Sequence, residues 1–335
     1  MSGINGSMAH LSDTFFTTAI SIYALAAVSY TAEYAFGRKG RIAATAPARE
    51  LVGAGGPPAT EPAAVGSEVP APSGKRGFAD WAGRIGVALT VLGLVVHAVS
   101  ITVRGTAVDA VPWSNMYEFA SVAGAIGVVA FLAVLWKAPA LRHLGGFILL
   151  PVVLVMFLAG TVLYSQAQPL VPALQSYWLA IHVTLISVAE GALMTSAVLT
   201  VLFLIKQRHD RLAKQPGYQP GALGNLAARL PSDTTLDKAA YRIVAFAFPL
   251  YTVAVICGAI WAEAAWGRYW GWDPKETWAF IVWVVYACYL HARATAGWKG
   301  RAAAWVNLAG FLSITFNFLI VNIVVSGLHS YAGLS

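Results

Sequence analysis

Eight runs of mostly apolar residues dominate this chain, and they constrain it more than any other feature. They cover approximately 14–36, 81–103, 115–136, 144–164, 177–205, 241–262, 277–294 and 303–326. A helix rises about 1.5 Å per residue and needs about 20 apolar residues to cross roughly 30 Å of hydrocarbon. The runs do not alternate apolar and polar residues, as the strands of an outer-membrane barrel would. The expected fold class is therefore all-α: a polytopic membrane protein with about eight transmembrane helices. Composition excludes the main alternatives. Of 335 residues, 58% are hydrophobic and 11% charged, against about 25% charged in soluble domains. Neither a soluble enzyme nor a disordered chain fits. Two Cys cannot build a disulfide scaffold or a four-Cys metal site.

The net charge of +7 is a topology signal. With the N-terminus outside, the inner segments carry 19 of the 22 Lys and Arg residues, as the positive-inside rule requires. Only Arg104, Arg268 and Lys275 fall outside. Both termini are then external, and no nucleic acid need be invoked. Residues 1–37 lack Lys and Arg, so they read as a retained first transmembrane helix rather than a signal peptide. Residues 38–80 are rich in Pro, Ala and Gly and read as a disordered cytoplasmic linker. Residues 81–335 form the transmembrane core.

Four of the seven His residues fall within spans or at their ends, where ionisable groups are costly and tend to be functional. His182 and His329 lie near the same outer level. His291 is 14 residues past Thr277, so roughly 21 Å further in, with no His at its own depth in the chain. His97 lies in the outer half of its span. Glu190, eight residues after His182, reads either as a functional intramembrane acid or as a neutral packing residue. Cys257 and Cys288 read as small packing residues.

The outer loop 261–278 is the strongest local signal. It contains Trp261, Trp266, Trp270, Trp272 and Trp278, five of the chain's 12 Trp. An interfacial aromatic belt needs only one or two per span end. The physical expectation is a platform for a large planar apolar ligand. Within it, Asp273 suits an N-cap, Pro274 the first helical position and Glu276 the third. Asn115 and Glu118 repeat that pattern before the third span. Arg268 and Lys275 either pair with a ligand's carboxylates or snorkel to headgroups. Two outer imidazoles beside an aromatic platform point to haem, whose iron takes imidazole as an axial ligand.

These residues also carry a resemblance. Trp266-Gly267-Arg268-Tyr269-Trp270-Gly271-Trp272-Asp273-Pro274-Lys275-Glu276 resembles the WWD signature of haem-handling proteins. Gln175-Ser176-Tyr177-Trp178 leading to His182, Gly327-Leu328-His329-Ser330-Tyr331, and Pro112-Trp113-Ser114-Asn115-Met116-Tyr117-Glu118 are similar to motifs of the CcsA/ResC branch, called CcsB in actinobacteria. The likeness spans roughly 81–335.

The resemblance implies system II cytochrome c biogenesis in a bacterial cytoplasmic membrane, with the active loop on the external face. It implies haem b as cargo, haem transport and a holocytochrome c synthase activity. The implied partners are a ResB/Ccs1-type membrane protein, an apocytochrome c with Cys-x-x-Cys-His, and a separate thiol–disulfide reductant. It maps external metal ligands to His182 and His329, and an inner ligand to His291, whose counterpart the partner supplies. Trp261, Trp266, Trp270, Trp272, Arg268 and Asp273 are the expected haem contacts. On this reading the chain contributes positioning rather than a catalytic nucleophile. The rival readings are a haem-bearing electron carrier and a transporter of another planar substrate.

Overall fold

The computed structural model describes residues 4–37, 77–168, 172–295 and 297–329. The expected linker at 38–80 lies almost wholly outside them. Among the described residues the protein is helical and contains no strand. Its long helices are α1 (Gly6–Phe36), α2 (Phe78–Val108), α3 (Met116–Lys137), α4 (Gly145–Thr161) and α5 (Tyr177–Leu212). A short α6 (Ala222–Ala227) precedes α7 (Asp233–Trp266), α8 (Pro274–Ala294) and α9 (Arg301–Phe316). A π-helical turn, Asn317–Val321, and one further turn, α10 (Asn322–Val324), follow α9.

Seven of these helices, counting α9 with its extension to Val324 and α4 with the preceding 3-10 turn, are long and apolar enough to cross a membrane. The seventh predicted span corresponds to α8, which is outside that set. Its 21 residues suffice in length, but Lys275, Glu276, His291 and Arg293 lower its apolarity. The helices otherwise overrun their apolar cores, because their caps lie in polar flanks. Ser232 caps α7 by accepting from the Thr235 amide at 3.2 Å, well before the apolar run begins.

In the first half, α1 and α2 pack antiparallel through a ladder of polar contacts. Ser12 donates to the Ser100 carbonyl at 3.0 Å, and the Tyr30 and Thr90 hydroxyls lie 3.2 Å apart. His97 belongs to this ladder. Its Nε2 lies 2.9 Å from Ser121 Oγ and its Nδ1 3.5 Å from Tyr23 Oη. It is a satisfied core histidine.

Two latches hold α1. Near its start, Asp13 accepts from Tyr164 Oη at 2.6 Å and faces Arg104, which pairs with buried Glu118 at 2.9 Å. Near its end, Arg229 donates to the carbonyls of Tyr34 and Ala35, both at 2.6 Å, and Tyr34 Oη donates to the Leu226 carbonyl.

The second half packs α5, α7, α8 and α9 around Val244, Tyr251, Val282 and Tyr286. Where lipid replaces water, such packing gains little from the hydrophobic effect and rests on close van der Waals contact.

Candidate functional site

The segment between α7 and α8 is shorter than the sequence suggests. Trp261 and Trp266 belong to the last turns of α7. Gly267 stops that helix in the left-handed conformation, φ +70°. Asp273 restarts the chain as the N-cap of α8, in a full capping box with Glu276 and with Pro274 at the first position. The non-helical loop is therefore only 267–273. Glu276 gathers it, accepting from the amides of Gly271 at 2.8 Å and Asp273 at 3.1 Å and from Arg268 at 3.0 Å. A Cβ at Gly271 would overlap the Arg268 guanidinium, which would have to move to make room.

Beside this loop, at one end of the bundle, lies a cavity of about 1130 Å³ including its mouth. Its walls come from the start of α3, the N-terminal half of α5, the end of α7, the start of α8 and the segment after α9. The lining is mostly aromatic and aliphatic. It includes both His182 and His329, with Trp113, Trp261, Trp266 and Trp270.

The two imidazoles share Trp261. The His182 ring stacks parallel to that indole at 6.2 Å, and the His329 ring meets it edge-on at 5.9 Å. The two ring centres are therefore no more than about 12 Å apart. Trp266 closes on His329 at 5.1 Å.

Each imidazole is oriented through Nδ1. His182 Nδ1 donates to the Ala254 carbonyl at 2.7 Å. That approach requires Gly258, since a Cβ there would lie 2.8 Å from the ring. His329 Nδ1 donates to Asp273 Oδ2 at 2.8 Å, while the Leu328 amide donates to Oδ1 at 2.8 Å. Burial alone would push the Asp273 carboxyl up. The bonds from His329 and from the Leu328 and Lys275 amides outweigh it and hold the carboxyl down at about 2. In both imidazoles Nε2 is then the nitrogen suited to a metal, and a second-shell acceptor on the other nitrogen is the usual companion of such a ligand.

Among the described residues no cluster of three or more His, Cys, Asp or Glu could hold a metal ion.

Not every expected residue reaches the cavity. Trp272 stands outside the lining, 65% exposed, with φ +58°. Arg268 is also outside it, bound to Glu276 and 6.0 Å from the Trp266 ring centre. Asp273 acts behind His329. His291 is exposed in the last turn of α8, at the opposite end of the bundle. Cys257 is buried, whereas Cys288 is exposed.

Sequence reasoning missed Gly258, Asn317 and Asn322, and saw Trp113 only as part of a motif. All four line the cavity. Asn317 and Asn322, polar residues within a mostly apolar span, were the available signal.

Comparison with known proteins identifies the family. Residues 113–329 match the family described as cytochrome C assembly protein, a stretch that contains every wall of the cavity. A protein of Guillardia theta named cytochrome c biogenesis protein CcsA is 36% identical over 75% of this chain and 86% of its own length. Proteins of the same name from Gloeobacter violaceus and a Synechococcus strain are 34% and 35% identical, over 75% of this chain and 87% and 84% of theirs. A match of this extent settles kinship: the chain belongs to the cytochrome c assembly protein family.

Proposed function

We propose that this protein handles haem b during cytochrome c maturation, and presents it for covalent attachment to an apocytochrome c carrying Cys-x-x-Cys-His. One observation carries the reading. Two histidines distant in sequence line one aromatic cavity, each with Nδ1 committed to an acceptor on the protein. A haem is flat and apolar on both faces, and its iron accepts imidazole nitrogen on each. His182 and His329 are the axial pair, and Trp261, Trp266 and Trp270 the aromatic surround. Asp273 orients His329. Arg268 and Trp272 hold the loop in shape rather than meeting the porphyrin.

The chain's own contribution is positioning. A porphyrin fixed on both faces exposes one edge to the incoming thiols, and the apocytochrome's histidine replaces one of the two protein ligands. The nucleophiles are the acceptor's, kept reduced by a separate thiol–disulfide protein.

His291 is the inner ligand of the route that brings haem to the cavity. It faces away from this chain's own core, and a ResB/Ccs1-type membrane partner supplies the opposing histidine. The loop 267–273 faces the exterior of a bacterial cytoplasmic membrane.

Changing His182 or His329 to Ala should strip most of the copurifying b-type haem and stop cytochrome c assembly, read from the Soret band of detergent-purified protein. A double variant that keeps its full haem content would refute the site.

A further inference from the structure

We propose that the floor of the cavity is a carboxylate subsite with Lys275 as its cation, and that the porphyrin enters propionate edge first. This rests on the haem reading above and adds the ligand's orientation.

The floor is unlike the walls. Lys275 starts in the first turn of α8, and its side chain runs into the cavity. There Nζ makes one long bond, 3.4 Å, to the Asn317 carbonyl. An ammonium has three donors, and among the described residues no carboxylate lies within 4.0 Å of this one. The charges acting on it are those of Glu190 and Asp273.

Glu190 lies on the same α5 stripe as His182 and Ile186, four residues apart each time, and also lines the cavity. It is about 12 Å inward of His182 along the helix axis. Asn317 is 5% exposed, and its Oδ1 has no partner. Its amide can turn to offer Nδ2 instead. A cation with unused donors, beside an unsatisfied amide, at the bottom of an apolar cavity fits one anionic oxygen group.

The other nearby cation is unsuited. Arg268 is outside the lining and bound to Glu276 at 3.0 and 3.3 Å. With a propionate on Lys275, the vinyl half of the ring lies on the opposite side, towards Trp266, Trp270 and the mouth. That is the edge the thiols must reach.

The test is a titration of the detergent-purified full chain with hemin and with hemin dimethyl ester, followed at the Soret band. The free acid should bind at least about tenfold tighter than the ester, as expected for a charge-assisted bond away from water. Lys275→Met should bring the two affinities together by weakening only the acid. Lys275→Arg and Arg268→Met should both keep the wild-type preference. A wild-type protein that binds acid and ester equally overturns the proposal, even if Lys275→Met fails to fold. So does an Arg268→Met variant that loses the preference. Failure of both compounds to bind would instead refute the haem reading beneath it.

Discussion

Asp273 shows how much one side chain can be asked to do. It caps α8, and it also reaches residues 328 and 329 of the chain's far end. The two roles can be separated, because Asn is as good an N-cap as Asp but gives His329 no carboxylate. Asp273→Asn should therefore leave the protein folded and weaken haem binding by about 10–100-fold, the usual cost of losing a second-shell partner. Soret titration measures it, and an unchanged affinity would show that His329 needs no orienting acid. The capping role was legible in Asp273-Pro274-Lys275-Glu276, because caps are written in consecutive residues. The bond to His329 was not, because nothing local records a contact across 56 positions. His97 was ambiguous in sequence for the same reason. Depth could be counted, but Tyr23 and Ser121 come from other helices.

Among the helices, the start of α8 matters most for the site. Glu276 fastens the loop to it by accepting from two amides and Arg268. Glu276→Ala removes these bonds and half of the capping box. Loss of a cap costs about 0.5–2 kcal/mol, and the freed loop amides and guanidinium add to that. The variant should show a lowered thermal midpoint in detergent and faster proteolysis between residues 267 and 273. A wild-type cleavage pattern would contradict the role. The existence of the long helices was plain from their apolar runs. Their ends were not, since Ser232 and Gly267 set boundaries in polar stretches that carry no periodicity. The π-turn at Asn317–Val321 had no sequence mark at all. It arranges carbonyls that Lys275 and Asn322 then satisfy.

For the molecule as a whole, the proposed sidedness rests on charge. If basic loops stay inside, Glu263, exposed at the end of α7, and Asn225, exposed in α6, lie on opposite sides of the membrane. In a Cys257→Ser, Cys288→Ser background, Glu263→Cys should react with an impermeant maleimide on intact cells. Asn225→Cys should react only after permeabilisation, and the reverse pattern would invert the proposed topology. The two latches on α1 also bear on the molecule's unity. The family match begins at residue 113, so α1 lies outside it. Yet Asp13 is clasped at one end and Tyr34 and Ala35 at the other, both by residues far along the chain. A nick anywhere between residues 38 and 76 would therefore sever the polypeptide without releasing α1, which would ride with the remainder as a non-covalent subunit.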